Sequence, residues 1–120
     1  MTRAAYTVTI ATVAEDDLFD IVDYILVRER ALAPALAVQN RIEATISSLT
    51  GVASRGRAPP ELRDVGTVDI GFDFREIIDW PWRIVYRIAG RRVHVVMVLD
   101  GRRDADDLVR ARAMRFSEEP

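Results

Sequence analysis

The chain has 120 residues, of which 49% are apolar. This length and composition are typical of one compact domain, so we expect residues 1–120 to form a single domain. The sequence contains no cysteine, which excludes disulfide bonds and thiolate metal sites. Its 17 basic residues are all arginines, and 19 acidic residues leave a net charge of −2. Generic nucleic-acid binders carry a basic surplus that contacts phosphates, so the charge does not favour that class.

The sequence carries no signal for a membrane. No apolar run approaches the ~20 residues that a membrane-spanning helix needs. Residues 1–10 lack the charged and apolar regions of a secretory signal. We therefore expect a cytoplasmic protein without membrane contact.

A strand and two helices are predicted in the first half of the chain. Residues 3–10 alternate apolar and polar side chains, which is the pattern of a half-buried strand. Thr12 and Glu15 form a capping-box pattern that opens the first helix. Ala33-Pro34 opens the second helix, and Gly51 is its expected end. The apolar stripes are Leu18, Ile21, Val22, Ile25 and Leu26 on the first helix, and Ala35, Val38, Ile42, Ile46 and Leu49 on the second.

The second half of the chain reads as strands. The Gly- and Pro-containing residues 51–67 predict a loop. Two alternating runs follow, separated by a turn near Asp79-Trp80-Pro81: Val68, Ile70, Phe72 and Phe74, then Trp82, Ile84, Tyr86 and Ile88. Residues 93–99 are apolar at both odd and even positions, except for His94. This pattern predicts a central strand that is covered on both faces. A short polar helix is predicted over residues 105–115.

These elements predict an α+β fold. The order is β-α-α-β-β-β with a final helix, in which an antiparallel helix hairpin packs on a small, mostly antiparallel sheet. The last three strands form a meander.

Strand alternation also gathers arginines on one side of the predicted sheet. If the aromatic residues of the last strands face the helices, the intervening arginines face away from them. The resulting arginine face consists of Arg75, Arg83, Arg87, Arg102 and Arg103. Such a face is either an anion- or partner-binding surface or a solvated surface whose arginines pair with acidic neighbours and add little stability.

Other candidates for function are fewer. His94 is the only histidine, and it has neither a triad partner nor a cluster for a metal ion, so we interpret it as structural. Trp80 and Trp82 flank a turn, where they either cover the core or offer an aromatic contact to a partner. We expect no cofactor and no metal.

The order of elements and four groups of residues resemble the RelE/ParE toxin superfamily, from about Tyr6 to Arg112. The groups are Gly56-Arg57 with Glu61-Leu62, Phe74-Arg75-Glu76-Ile77, the run from Trp82 to Ile88, and the run from Val98 to Asp104. The resemblance implies the toxin half of a type II toxin–antitoxin system that stabilises plasmids. It also implies a hetero-oligomer with a cognate ParD-like antitoxin, whose tail is disordered alone and folds around the toxin.

The superfamily divides by target, and the resemblance is stronger to the ParE side. RelE-like members cleave messenger RNA on the ribosome with a set of basic residues, sometimes with a late tyrosine. Of that set, only Arg83 and Arg103 carry over, while Phe74, Glu76 and Val109 stand where two lysines and the tyrosine are expected. We therefore expect a non-enzymatic inhibitor of DNA gyrase. The alternatives are a ribosome-dependent endoribonuclease, with Arg83 and Arg103 catalytic, and a non-toxic module that binds the antitoxin.

Overall fold

A computed structural model describes residues 5–63 and 73–117 of the chain. The order of elements confirms the predicted α+β fold. The elements are β1 (Thr7–Ile10), α1 (Thr12–Glu29), α2 (Leu32–Val52), a 3₁₀ turn (Ala53–Arg55), α3 (Pro60–Arg63), β2 (Asp73–Asp79), β3 (Trp82–Ala89), β4 (Arg92–Asp100) and α4 (Asp106–Ser117). The predicted strand residues Val68, Ile70 and Phe72, and the last part of the predicted loop, lie outside the described residues.

Within the described residues, the strands form one sheet in the order β1-β4-β3-β2. The predicted meander is confirmed, because β2, β3 and β4 pair antiparallel, while β1 pairs parallel with β4. The central position of β4 is also confirmed. Val93 and all residues from Val95 to Leu99 are buried, as expected for a strand covered on both faces.

The predicted capping box of α1 is wrong. The N-cap is Ala11, which makes no side-chain cap hydrogen bond, and Thr12 is already helical. The amide of Ala11 donates to the carbonyl of Val95 at 2.8 Å. The pairing of β1 with β4 thus continues up to the first turn of the helix and leaves Thr12 no capping position. The predicted stripe is buried at Ile25 and half-buried at three other positions, but Leu26 is 37% exposed.

The second helix is longer than predicted. It begins at Leu32, so Pro34 lies within its first turn, and it includes Gly51 before ending at Val52. Its stripe is confirmed, since Ala35, Ile42, Ile46 and Leu49 are buried and Val38 is half-buried. The loop predicted after it is partly wrong, because the chain forms the 3₁₀ turn and α3 there.

The two faces of the sheet carry different layers. The hydroxyl of Tyr86 donates to the carbonyl of Ala53, just beyond α2, at 2.6 Å, so the Tyr86 face lies against the helix hairpin. On the opposite face, the ring of Phe116 in α4 contacts the ring of His94 at a centroid distance of 5.6 Å. The His94 ring also shares a 2.7 Å hydrogen bond with the Thr9 hydroxyl, in keeping with its structural interpretation.

The predicted orientation of β2 is wrong. The register pairs Arg75 with Tyr86 and Phe74 with Arg87, so Arg75 shares the hairpin face and Phe74 lies on the α4 face. The two-residue turn at Trp80-Pro81 sets this register by pairing Asp79 with Trp82. Both faces of the sheet are covered by helices. An apolar side chain at every second position of a strand therefore does not reveal which layer it contacts.

Candidate functional site

The predicted arginine face does not form, because its central member is buried in an ion-pair cluster. Arg83 is 7% exposed, and its guanidinium donates to both carboxylate oxygens of Glu61 at 2.7 Å and to Glu76 at 2.7 Å. Arg57 donates to the remaining oxygen of Glu76 at 2.8 Å. We call Arg57, Glu61, Glu76 and Arg83 the Arg83 cluster. It joins β2, β3, α3 and the loop before α3.

Electrostatics favours the ionised forms of Glu61 and Arg83 in the cluster. The hydrogen bonds from Arg83 hold the pKa of Glu61 below its ordinary value, against the opposing effect of burial. The same bonds, first those with Glu61, raise the pKa of Arg83. Arg83 is therefore fully engaged by its neighbours, and the prediction that it is exposed is wrong.

Two further members of the predicted face are also engaged elsewhere. Arg75, on the hairpin side of the sheet, donates to both oxygens of Asp73 at 3.0 Å and to the carbonyl of Ser54. Arg87 is half-buried and donates to the carbonyl of Phe116 in α4. The register places Arg75 on the opposite side of the sheet from Arg83 and Arg87. The prediction that these three arginines share one surface is therefore wrong.

The two tryptophans at the turn differ in exposure, so one covers the core and the other is open to a partner. Trp82 is 7% exposed and belongs to the core, whereas Trp80 is 61% exposed at the tip of the β2–β3 hairpin. Arg41 of α2 holds this tip, since it donates to both oxygens of Asp79 at 2.7 and 2.9 Å and to the Trp80 carbonyl at 2.9 Å. The hydrogen bond from Arg41 lowers the pKa of Asp79. The indole of Trp80 is thus exposed on a fixed backbone.

A depression runs along α1 on the side of this hairpin. A groove of about 660 Å³, with Ile25, Val38 and Trp82 in its lining, lies between α1, α2 and the ends of β3 and β4. A second groove of about 230 Å³ continues along β4 towards α4. The two share Asp20, Ile21, Asp100 and Arg103. We call the continuous depression the trough.

Arg103 differs from the other arginines that line the trough. Those are paired: Arg28 with Glu29, Arg41 with Asp79, Arg102 with Asp100 and Arg112 with Asp17. Among residues 5–63 and 73–117, the exposed side chains of Arg103 and Asp20 have no hydrogen-bond or ion-pair partner. The bonds from Arg102 engage both oxygens of Asp100 and lower its pKa. Within the described residues, Arg103 is thus the one arginine of the trough whose side chain makes no hydrogen bond or ion pair. Asp20 makes none either, and Asp104 accepts only the backbone amide of Asp106 at 3.3 Å.

Comparison with known proteins assigns the family. The sequence model of the ParE toxin of type II toxin–antitoxin systems matches residues 8–105. The chain belongs to the ParE toxin family. It is thus a type II toxin of a toxin–antitoxin system.

A solved ParE-system structure has a similar fold. It is the chromosomal ParDE toxin–antitoxin system of P. aeruginosa, with 20% identity and a TM-score of 0.62; the match covers 82% of this chain and 98% of that chain. No curated protein matches the sequence. At this identity, the structural likeness bears on the fold alone.

In this ParE-family chain, the residues at the positions where a RelE-like RNase would carry its lysines and tyrosine are buried. Phe74, Glu76 and Val109 are 3%, 1% and 1% exposed. Phe74 and Glu76 lie on the Arg83 face of the sheet. Val109 lies on α4, whose Arg110 donates to the Glu61 carbonyl at 3.1 Å. α3 and α4 thus cover the surface on which a RelE-like site would lie.

Sequence reasoning missed the partners of these residues. Gly56, Arg57 and Glu61 belong to the residues that resemble the family, but the sequence pattern predicts no role for them. Glu61 neutralises Arg83, and a Cβ added at Gly56 would lie 1.9 Å from the Tyr86 hydroxyl oxygen. Arg41 had no sequence signal, because its partner lies far along the chain on a different element.

Two further findings concern metal ions and membranes. The described ranges bring together no group of three or more His, Cys, Asp or Glu side chains that could hold a metal ion. No helix in the described part of the chain has both the length and the apolar character needed to cross a bilayer.

Proposed function

We propose that this toxin inhibits DNA gyrase by binding it, without cleaving RNA, and that an antitoxin neutralises it by filling the trough. The observation that carries the proposal is the closure of the Arg83 cluster. A guanidinium that already donates to two carboxylates cannot also stabilise the phosphate of a cleaved RNA without breaking those bonds.

The chemistry of RNA cleavage supports the same conclusion. Attack by a 2′-hydroxyl needs a base, an acid and a charge clamp within hydrogen-bond reach. Arginine is a poor base because it stays protonated, and the carboxylate of Glu76 is held by two arginines. Phe74 and Val109 offer no proton at all. Binding to a protein requires none of these groups.

Trp80 is the best-positioned anchor for a protein target. Exposed aromatic side chains that fill a partner's pocket supply a large share of interface energy, and a fixed backbone reduces the entropy lost on binding. The bonds from Arg41 provide that fixed backbone. The net charge of −2 also suits a protein target better than ribosomal RNA.

A supercoiling assay with purified gyrase tests the target. We expect the wild-type chain to inhibit supercoiling and Trp80→Ala to require about thirtyfold more protein, which corresponds to the ~2 kcal/mol of a binding hot spot. Phe19→Ala is the matched control, because Phe19 is 69% exposed on α1, and we expect it to inhibit like the wild type. Cleavage of messenger RNA on ribosomes, with supercoiling unaffected, would replace gyrase by the ribosome.

The trough suits the antitoxin tail that the family resemblance implies. An amphipathic segment can place apolar side chains against Ile25, Val38 and Trp82 and polar ones at the charged rim. A ligand that binds only the folded state stabilises it by about 2.7 kcal/mol at one hundred times its Kd. Coexpression with the product of the adjacent gene should therefore give a copurifying complex with a higher Tm. A chain that binds this product but inhibits neither gyrase nor translation would be the non-toxic module.

A further inference from the structure

The arginines of the trough differ in whether their side chains are already paired. Recruiting Arg41 or Arg102 would require breaking an ion pair with two hydrogen bonds to one carboxylate. Arg103 requires no such exchange, because within the described residues its side chain makes no hydrogen bond or ion pair and acts on Asp100 only through its charge. Its planar fork can accept a carboxylate in a bidentate arrangement. Arg103 is therefore the cation that an incoming acid meets at the lowest cost.

The position of Arg103 adds a second argument. It lines both halves of the trough, so a segment that occupies either half, or extends from one to the other, passes this guanidinium. Apolar side chains such as Ile21 lie beside it, and water is displaced from the contact when the trough is filled. A charge-assisted hydrogen bond that is shielded from water discriminates more strongly than one on the open surface.

Asp20 restricts the occupant further. Its carboxylate also borders both halves and also has no partner among the described residues. It attracts a cation or an amide donor on the occupant and repels a second acid. The trough therefore distinguishes an amphipathic segment with a placed acid from a uniformly acidic one.

We infer that Arg103 determines the specificity of the trough, by pairing with one carboxylate of the antitoxin segment that occupies it. The assignment of the occupant as antitoxin rests on the function proposed above, whereas the preference for a placed carboxylate rests on the trough alone. The partner is thus an amphipathic peptide with apolar anchors, one acid facing Arg103, and a neutral or basic side chain facing Asp20.

Selection from a display library of randomised 16-residue peptides on the immobilised chain tests the preference without an antitoxin. We expect wild-type protein to enrich an Asp or Glu at one position, at least tenfold over the starting library, beside apolar residues. Arg103→Gln should lose this enrichment, and Arg103→Glu should replace it by Lys or Arg at that position. Arg55→Gln is the matched control and should keep the wild-type pattern, because Arg55 is exposed and lines neither half of the trough.

Several results would overturn the inference. These are no selected peptides with the wild type, an unchanged acid preference in Arg103→Gln, or an equal loss in Arg55→Gln. The circular dichroism spectrum and the Tm of each variant must first match those of the wild type. If Arg103→Gln fails this check, Arg103→Lys replaces it. Lysine keeps the charge but lacks the planar fork, so the acid preference should weaken.

The adjacent gene product then tests the link to the antitoxin. Its Kd should rise at least tenfold with Arg103→Gln and stay within twofold with Arg55→Gln. An acid-to-lysine change in its tail should restore binding to Arg103→Glu. An unchanged Kd would contradict the inference even if gyrase is inhibited. Failure of gyrase inhibition with the peptide preference intact would contradict only the proposed target.

Discussion

Arg83 and Arg102 both form ion pairs with acidic neighbours, but the two pairs differ in burial. The side chains of Arg83, Glu61 and Glu76 are 9%, 9% and 0% exposed, whereas that of Arg102 is 60% exposed. Water screens the exposed pair and keeps its contribution small. The buried charges of Arg83, Glu61 and Glu76 depend on one another for the hydrogen bonds that water would otherwise supply.

Replacing Arg83 should therefore destabilise the fold strongly. Arg83→Ala leaves the carboxylates of Glu61 and Glu76 buried without their main partner, a change that costs on the order of 3–5 kcal/mol. Urea unfolding measures the loss, and Arg102→Ala is the control that should leave the midpoint nearly unchanged. Equal midpoints for the two variants would show that the Arg83 cluster does not stabilise the protein.

The ionised state of Glu61 also predicts a pH dependence. Its pKa in the folded protein lies below the ordinary value of 4.5 because Arg83 donates to it. The resulting stabilisation is fully present above pH 4.5 and is lost as the pH falls through the folded-state pKa, since the unfolded chain then binds the proton more readily.

Comparison with Glu61→Gln isolates this effect from other carboxylates such as Asp79 and Asp100. Wild type should be more stable than the variant at pH 7, and the difference in free energy of unfolding should shrink as the pH falls below 4.5. A difference that stays constant from pH 7 to pH 3 would mean that the pKa of Glu61 is not lowered by folding.

At the level of elements, periodicity predicted the existence and order of the helices and strands but not their orientation or ends. The stripe of α2 and the two-sided burial of β4 followed from apolar spacing alone. The side on which β2 presents Arg75 depends on the register of the hairpin and on α3 and α4 covering the second face. Both depend on tertiary structure, which a local sequence pattern does not predict.

The contact between α2 and the β2–β3 hairpin leads to a prediction about motion. Arg41→Ala removes the bonds to Asp79 and the Trp80 carbonyl, so the tip of the hairpin should move more freely on the nanosecond timescale. In a Trp82→Phe background, the fluorescence anisotropy of Trp80 should fall. Arg28→Ala, which removes an arginine of the same trough that pairs with Glu29, should leave the anisotropy unchanged. A fall of equal size in both variants would show that Arg41 does not hold the tip.

For the whole molecule, the family predicted from the sequence is confirmed, whereas the residues that contact a target or an antitoxin stay a prediction. Of the predicted contact residues, Trp80 and Arg103 are exposed. Arg75, Arg83 and Arg87 were assigned to the same surface, yet each is engaged by a group that lies on a different part of the chain. Sequence spacing shows where charges lie along a strand, but it does not show which of them the fold neutralises.

We propose that toxicity results from binding of gyrase rather than from cleavage of RNA, because the guanidinium of Arg83 is already engaged by two carboxylates. Pulse labelling after induction without antitoxin tests this claim most directly, with thymidine and methionine incorporation followed in the same culture. We predict that thymidine incorporation falls first and that the DNA-damage response is induced while methionine incorporation continues. An early fall in methionine incorporation, with DNA synthesis continuing, would contradict the account.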